Sequence, residues 1–242
     1  MDILLTGASR GLGKALCSRL LRDDNRVWGV ARDPVSMEEL QGFFGRERFR
    51  GTAVDVSDYK AVLEWKDQVL KEGFKPECLI INASIQSDDM SDIFDAEAAS
   101  VVIDVNLRGA FDSIGAFLPE LKKNKGRIVG ITSTVALRPS TRSASYAASK
   151  AGLSMALRSL RLHFKKEISI GEVCLGPIAT EMWEGKKNSL VPSAEKAAKS
   201  IAGFALSKGK ILYYPFLTTT LLRLSHCLPD SVFAAVSSKI LK

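Results

Sequence analysis

Tyr146 and Lys150 stand four residues apart in the stretch SASYAASKAG, in which all the other side chains are small. Residues at i and i+4 lie on one face of a helix, so the lysine ammonium is expected beside the tyrosine phenol. Free tyrosine has a pKa near 10, and lowering it to about 7 takes roughly 4 kcal/mol. Two unit charges about 4 Å apart at an effective dielectric constant near 20 interact with about that energy. The pair therefore predicts a tyrosine with a lowered pKa that acts as general acid/base on an alcohol or a carbonyl.

Two further polar residues extend this pair. Ser133 follows the apolar run GRIVGIT, thirteen residues before Tyr146. Ligands bind at the carboxyl ends of parallel strands, so its hydroxyl is expected to hold a substrate oxygen. Asn106 lies in the helical run IDVNLRGAF, although asparagine is a weak helix former. It is either a helix-packing residue or part of a proton-relaying water chain, and the other three residues favour the second interpretation.

Short apolar runs alternate with helical patterns along most of the chain, and these elements must position the polar residues. The strand candidates are rich in Val, Ile and Leu and mostly lack polar alternation, as in strands buried on both faces. We predict an α/β fold, a doubly wound parallel sheet of about seven strands with helices on both faces, in a single Rossmann-fold domain over residues 1–242. The predicted strands are DILLT, RVWGVA, FRGTAVDV, ECLIIN, GRIVGIT, ISIGEVCL and KILYYP.

A glycine-rich turn, LLTGASRGLGKAL, links the first predicted strand to the first helix. Gly7, Gly11 and Gly13 let the backbone turn sharply and approach a pyrophosphate without an intervening Cβ. The helix N-terminus then offers free N–H groups to the phosphates. A turn of this kind between a first strand and a helix predicts a dinucleotide site, whereas the same glycines elsewhere would indicate only a tight turn.

The end of the second strand, VWGVARD, bears on which dinucleotide binds, because it meets the adenosine ribose in such sheets. Arg32 could pair with a 2′-phosphate, and Arg10 in the glycine turn could add a second cation. Asp33 could instead accept from a free ribose hydroxyl if the register is shifted by one or two residues. The two arginines favour NADP(H) over NAD(H).

The composition sets broad limits. The chain has 242 residues, a formal charge of +7 and a pI near 9.2, but its basic residues are scattered without a basic arm, so no nucleic-acid partner is expected. The four cysteines lie far apart without metal-ligand spacing, so no metal is expected, and reduced thiols suit a cytoplasmic protein. No run of 18 apolar residues occurs, and MDILLT is interpreted as a strand and not as a signal peptide.

TGASRGLG resembles the TGxxxGxG cofactor turn of the short-chain dehydrogenases/reductases, and SYAASK resembles their YxxxK motif. The resemblance covers nearly all of the chain. It implies that Tyr146 donates a proton to the substrate oxygen, that Ser133 orients that oxygen, and that Lys150 binds the nicotinamide ribose. Asn106 would support a bound water. The resemblance and the turn together imply these cofactor contacts: Gly7, Ser9, Arg10, Gly11, Leu12, Gly13, Arg32, Asp55, Val56, Asn82, Ala83, Tyr146, Lys150, Pro177, Ile178 and Thr180.

Two segments depart from the family pattern. LIINASIQ replaces the motif NNAG, with Ile81 in place of the first asparagine and Ser84 in place of the glycine. In CLGPIATEM, Leu175 stands where the family has a proline. The cofactor wall is expected to survive with altered packing.

Substrate contacts and partners are less defined by the sequence. A short lid is expected near 181–194, and an apolar pocket for a ketone or aldehyde is expected from Ile85, Val135, Met182 and Trp183, unless these only pack in the core. The apolar segment 215–242 is a lid or subunit contact, a membrane-surface helix, or a core cover. Apolar helix faces favour a homodimer or homotetramer.

The sequence thus predicts an NADPH-dependent oxidoreductase that interconverts a carbonyl and an alcohol by hydride transfer, with Tyr146 as general acid/base. The alternative is a non-catalytic NADP-binding sensor or scaffold on the same fold, since a fold alone does not determine function.

Overall fold

The computed structural model describes residues 1–90, 93–139, 143–181, 191–225, 229–230 and 233. Seven strands form one parallel sheet in the order β3-β2-β1-β4-β5-β6-β7, which confirms the predicted α/β class and doubly wound topology. The strands are β1 (Asp2–Thr6), β2 (Arg26–Ala31), β3 (Phe49–Ala53), β4 (Cys78–Ile81), β5 (Arg127–Ser133), β6 (Ser169–Leu175) and β7 (Ile211–Tyr214).

Helices connect the strands. A π-helical turn, Asp104–Arg108, joins the fourth helix to the fifth, and a 3₁₀ turn, Thr134–Ala136, follows β5. The α-helices are α1 (Gly11–Arg22), α2 (Pro34–Phe44), α3 (Tyr59–Lys71), α4 (Ala96–Ile103), α5 (Gly109–Lys123), α6 (Ala144–His163), α7 (Ala194–Ala205) and α8 (Phe216–Leu224).

The order of strands reverses between β1 and β4. From β1 the chain runs outward through β2 and β3, then returns to β4 on the other side of β1. Crossover connections leave these two neighbours in opposite directions, so a crevice opens at their carboxyl ends. The glycine-rich turn follows β1 and Asn82 follows β4, so both lie at this crevice.

Apolar cores cover both faces of the sheet. Ile3 and Leu5 face the core made with α1, α2 and α7, while Leu4 faces the core made with α3, α5 and α6. This alternation explains why β1 is apolar at every position, as predicted for a strand buried on both sides. Gly130 lets α6 approach β5, because a Cβ there would lie 2.4 Å from Leu157 Cδ1. The close approach sets the start of α6 beside the end of β5.

The last described helix, α8, is the least buried. Its side chains Phe216, Leu217, Leu221 and Leu224 are exposed, while Thr219 is buried. Within the described ranges, no helix is both long enough and apolar enough to cross a membrane. The role predicted for 215–242 stays a prediction, and most of 226–242 lies outside the described residues.

Candidate active site

The glycine-rich turn fits a pyrophosphate. Gly7 and Gly11 have φ values of +70° and +50°, which favour glycine. A Cβ on Gly13 would lie 1.8 Å from the Gly7 carbonyl oxygen, so no side chain fits there. Helix α1 has no side-chain cap at Arg10 and no acidic residue in its first turn. Its backbone N–H groups and positive dipole end are therefore free to bind a phosphate.

Thr6 and Asn82 join this turn to the end of β4. Thr6 Oγ1 accepts from the backbone N–H groups of Asn82 and Ala83, both at 3.0 Å. The Asn82 side chain donates to the carbonyls of Thr6 and Gly7, again at 3.0 Å each. Asn82, the second asparagine of the family motif NNAG, thus links the end of β4 to the end of β1. Ile81, which replaces the first asparagine of that motif, is buried in the core.

The segment after β6 lies beside the same turn. A Cβ on Gly11 would lie 3.6 Å from Cβ of Thr180. Ile178 packs into the core that α1 and α7 share, which fixes the path of the segment after Pro177. The structure therefore brings the predicted residue Thr180 to the glycine-rich turn.

At the end of the crevice where adenosine is predicted to bind, the cation Arg32 lies near the acid Asp55. Burial raises the pKa of Asp55, but hydrogen bonds from Ser57 and the nearby charge of Arg32 outweigh it, so the net pKa is lowered. Asp55 accepts from the Ser57 N–H at 2.9 Å and from its hydroxyl at 2.6 Å. Val56 is buried against α5, where a Cβ on Gly109 would lie 2.7 Å from the Val56 carbonyl.

Asp33, the alternative ribose acceptor, serves as the N-cap of α2. Its carboxylate accepts from the N–H groups of Val35 and Ser36 at 3.1 and 3.3 Å and from the Ser36 hydroxyl. These hydrogen bonds turn the carboxylate toward α2. The second predicted cation, Arg10, is exposed and lies 4.0 Å from Glu181.

Tyr146 stands in the first turn of α6, which Ser143 caps by accepting from the Tyr146 N–H at 3.3 Å. The hydroxyls of Ser133 and Ser84 act to lower the pKa of its phenol, although burial, which raises that pKa, outweighs them. Ser133 Oγ also accepts from the Val135 N–H at 3.3 Å, which orients it at the end of β5. The structure thus places Ser133, the predicted substrate-orienting serine, at the end of β5 and Tyr146 at the start of α6.

The predicted lowering of the tyrosine pKa is not seen in the protein without a bound cofactor. Burial raises the pKa of Tyr146, and this outweighs the opposite effect of Ser133 and Ser84. The Lys150 Nζ lies 5.7 Å from the centroid of the phenol ring and donates to the Ile131 carbonyl at 3.0 Å. Burial also lowers the pKa of Lys150 to about 8. Desolvation, which the sequence argument left out, therefore opposes charge on both residues.

Asn106 lies in the π-helical turn, and its side chain ties two segments together. Its amide accepts from the Ile85 N–H at 2.8 Å and donates to the Ile85 carbonyl at 2.9 Å. It also donates to Ser149 Oγ at 3.1 Å, which donates to the Tyr146 carbonyl at 2.8 Å. Both amide N–H groups are thus occupied, and one lone pair of the amide oxygen remains. A role in a water relay stays a prediction.

Sequence reasoning missed Asp89. Its buried carboxylate accepts from the backbone N–H groups of Ala144 and Ser145 at 2.8 and 2.9 Å, and from the Ser143 hydroxyl at 3.4 Å. These bonds fasten the loop after β4 to the start of α6, immediately before Tyr146. No motif marks this aspartate, because its partners lie more than 50 residues away in sequence.

The two predicted substrate contacts that the structure describes, Ile85 and Val135, do not line the same cavity. Val135 borders an open cavity of about 490 Å³ between the 3₁₀ turn and α6, with Leu137 and Ala147 among its other walls. Ile85 is not in that wall and packs against the core under α5. Met182 and Trp183 lie outside the described residues, as does most of the predicted lid.

An α/β nucleotide-binding fold with a tyrosine, a serine and a lysine at its crevice defines a class of oxidoreductases. The family model described as short chain dehydrogenase matches residues 2–190. The chain belongs to this short-chain dehydrogenase/reductase family, whose members use nicotinamide cofactors.

Curated relatives agree with this assignment. A benzil reductase of Saccharomyces cerevisiae that forms (S)-benzoin is 28% identical over 211 residues, covering 78% of this chain and 76% of the relative. The 3-oxoacyl-[acyl-carrier-protein] reductase of Escherichia coli is 30% identical over 181 residues, covering 74% of each chain. The chain is therefore related to oxidoreductases along most of its length.

Solved structures show the same fold. A short chain dehydrogenase of Burkholderia cenocepacia in complex with NADP superposes with a TM-score of 0.83 at 22% identity, covering 96% of this chain and 95% of that one. An alcohol dehydrogenase of Thermococcus sibiricus complexed with 5-hydroxy-NADP gives a TM-score of 0.79 at 23% identity, covering 87% and 93%.

Proposed function

We propose that the protein is an NADPH-dependent reductase of apolar ketones or aldehydes. The observation that carries the proposal is the placement of Tyr146 at the start of α6 near Ser133 at the end of β5, whose hydroxyl acts to lower the pKa of the phenol. Both side chains lie at the carboxyl ends of the strands, the edge at which the glycine turn also opens. A substrate oxygen between the two hydroxyls could accept a hydrogen bond from each.

Each residue of this group has a chemical task. Ser133 holds the substrate oxygen, and Tyr146 gives it a proton as the carbonyl is reduced. Lys150 retains N–H groups beyond the one bound to Ile131, and these can reach a ribose hydroxyl. The nicotinamide supplies the hydride.

Reduction suits the pKa of the buried tyrosine better than oxidation does. A raised pKa keeps the phenol protonated at neutral pH, which is the form that donates to a carbonyl oxygen. Alcohol oxidation requires the phenolate, which burial disfavours. We therefore expect carbonyl reduction to dominate near neutral pH.

Arg32 supports the choice of NADPH. It is exposed beyond the end of β2, whereas the competing Asp33 carboxylate is bound to the N-terminus of α2. Two similar solved structures contain NADP or a derivative of it. A 2′-phosphate at this position would neutralise Arg32, whereas a free ribose hydroxyl would not.

Substitution of Arg32→Ala should raise the KM for NADPH by about 10- to 100-fold, because a hydrogen bond between charged groups is lost. The KM for NADH should change little. Steady-state kinetics with each cofactor measure the difference. Arg22→Ala is a matched control, since this arginine is exposed at the far end of α1. An equal loss with both cofactors would remove the role of Arg32.

Substrate identity is tested by absorbance loss of NADPH with a panel of apolar ketones, aldehydes and aromatic diketones. The related benzil reductase supports the inclusion of aromatic diketones. Charged carbonyl compounds of similar size serve as the comparison. Turnover confined to charged substrates would contradict the apolar assignment.

We expect the protein to form a homo-oligomer in which α5 and α6 make the contact between copies. Phe111 and Met155 are 46% and 57% exposed on these helices, which leaves apolar surface there that a second copy of the chain would cover. Met155→Glu should shift the protein toward the monomer in light scattering after size-exclusion chromatography. Phe43→Glu on α2, where the phenylalanine is also exposed, should leave the mass unchanged. A wild-type monomer at micromolar concentration would contradict this assembly.

A further inference from the structure

Asp89, in the segment after β4, has a carboxylate that is closed off from solvent. The residue is 0% exposed, whereas the preceding Asp88 is exposed. A carboxylate loses its hydration when it is buried, and it is tolerated where other hydrogen-bond donors replace the lost water. In the described part of the chain, three donors at the start of α6 do so.

Both oxygens of the Asp89 carboxylate are used. Oδ1 accepts from the Ala144 N–H at 2.8 Å, and Oδ2 accepts from the Ser145 N–H at 2.9 Å and from the Ser143 hydroxyl at 3.4 Å. The first N–H groups of a helix have no partner within it, and a negative charge there complements the helix dipole. A side-chain amide of the same size has only one acceptor oxygen, so it could not make both backbone bonds.

Two hydrogen bonds connect this carboxylate to the backbone of Tyr146. The Ser143 hydroxyl, which donates to Asp89, also accepts from the Tyr146 N–H at 3.3 Å. On the other side of the tyrosine, Ser149 donates to the Tyr146 carbonyl at 2.8 Å, and Asn106 donates to Ser149 at 3.1 Å. The tyrosine is therefore held at its N–H and at its carbonyl, and Asp89 supports the N–H side.

The segment that carries Asp89 is itself anchored at the crevice. The Ala83 N–H donates to Thr6 Oγ1 at 3.0 Å, which ties the segment to the end of β1. Ile85 exchanges two hydrogen bonds with the Asn106 side chain, at 2.8 and 2.9 Å. A reacting group needs rigid support of this kind to keep its geometry. Asp89 thus joins the first turn of α6 to a segment that is fixed beside the glycine-rich turn.

We propose that Asp89 is a positioning residue for carbonyl reduction, whose carboxylate fixes the first turn of α6 and so sets where the Tyr146 phenol meets the substrate oxygen. The proposal rests on the proposed function and deepens it. Asp89 acts through the backbone of α6 and transfers no proton. Misplacement of a reacting group by about 1 Å can lower a rate by about 10²-fold, so the start of this helix has to be held accurately.

Asp89→Asn is the direct test, because it keeps the volume of the side chain and removes one acceptor and the charge. The single-turnover rate of NADPH oxidation with saturating ketone, measured by stopped-flow absorbance, should fall about 10- to 100-fold. The Kd for NADPH and the KM for the ketone should stay within about threefold, since the glycine-rich turn and Ser133 are unchanged. Asp88→Asn is the matched control, because it makes the same chemical change at an exposed side chain one residue earlier. Its rate should equal that of the wild type.

A second comparison separates positioning from stability. Asp95 caps α4 by accepting from the Ala98 N–H at 2.9 Å, and Asp95→Ala should lower the midpoint of urea unfolding without slowing turnover. Ser143→Ala removes the hydroxyl between Asp89 and Tyr146, and should slow turnover of the folded protein by about three- to tenfold. It leaves both backbone bonds of Asp89 in place, so it supplies the test if Asp89→Asn does not fold. The effects of the two variants should not add in the double variant, because both break the same connection.

The outcomes separate this proposal from the proposed function. If the wild type reduces carbonyls and folded Asp89→Asn, or Ser143→Ala in its place, turns over at the wild-type rate, the role of Asp89 is overturned while the proposed function stands. Equal losses of rate in Asp88→Asn or Asp95→Ala would also overturn it, because charge or stability alone would then explain the effect. If the wild type reduces no carbonyl, the proposed function is overturned, and the positioning role with it. Slower single turnover with unchanged binding supports both.

Discussion

Substitution of Tyr146→Phe should lower kcat for carbonyl reduction by about 10²- to 10⁴-fold, the range that general acid catalysis contributes. The change removes one oxygen atom from a largely buried ring. It deletes the proton that the substrate oxygen needs and leaves the ring packed where it was. Stopped-flow or steady-state absorbance of NADPH measures the loss.

Cofactor binding provides the control for this variant. The proposed pyrophosphate site consists of the turn after β1 and the start of α1, which do not depend on the tyrosine hydroxyl. Fluorescence titration should therefore give a Kd for NADPH within about threefold of the wild type, a difference below 1 kcal/mol. Turnover that survives in Tyr146→Phe would refute the acid/base assignment. Absence of turnover in the wild type as well would favour the sensor or scaffold alternative.

The fold could be predicted from the sequence because its determinants are local. Each strand is a short apolar run, and each helix has its own periodicity and boundary residues. The main difference between the predicted and the observed strands also has a local cause. The segment FRGTAVDV predicted a strand that ends at Val56, but β3 ends at Ala53. Asp55 bonds the N–H and hydroxyl of Ser57, which turns the chain out of the sheet.

The family motifs predicted which residues lie at the crevice but not how they are bonded. Asn106 was expected beside a water, and the structure shows its amide holding Ile85 and Ser149. Asp89 contributes through hydrogen bonds to residues more than 50 positions away in sequence. Such contacts depend on how β4 and α6 are placed by the sheet, which no spacing in the sequence encodes.

The electrostatic argument from the sequence left out the effect of burial on the two side chains. Spacing placed Lys150 one turn after Tyr146, and the structure confirms that both lie on α6. Spacing does not report burial, and burial acts on both groups in the direction of neutrality. The protein without cofactor therefore holds a protonated phenol and an ammonium group that burial destabilises. A negatively charged cofactor would offset part of this destabilisation.

Lys150→Met should make the apoprotein more stable at neutral pH and nearly inactive. Lowering the lysine pKa from 10.5 to about 8 corresponds to a cost of about 3 kcal/mol for keeping the buried ammonium charged. Methionine fills a similar volume without a charge, although the hydrogen bond to the Ile131 carbonyl is lost. We expect a net gain of about 1–2 kcal/mol in the free energy of unfolding, measured in urea. Activity should fall by at least about 10²-fold.

The pH dependence of stability identifies the source of this gain. An amine whose pKa is lower in the folded than in the unfolded protein binds fewer protons when folded, between those two values. Lys150 therefore makes the wild type more stable as pH rises from about 8 toward 10.5, and the opposing loss from the raised pKa of Tyr146 begins only above about 10. Urea unfolding between pH 7 and 10 should show this rise in the wild type and in Tyr146→Phe, but a smaller one in Lys150→Met. Parallel curves for all three proteins would show that the Lys150 ammonium is not destabilising, and that its charge is already compensated within the folded protein.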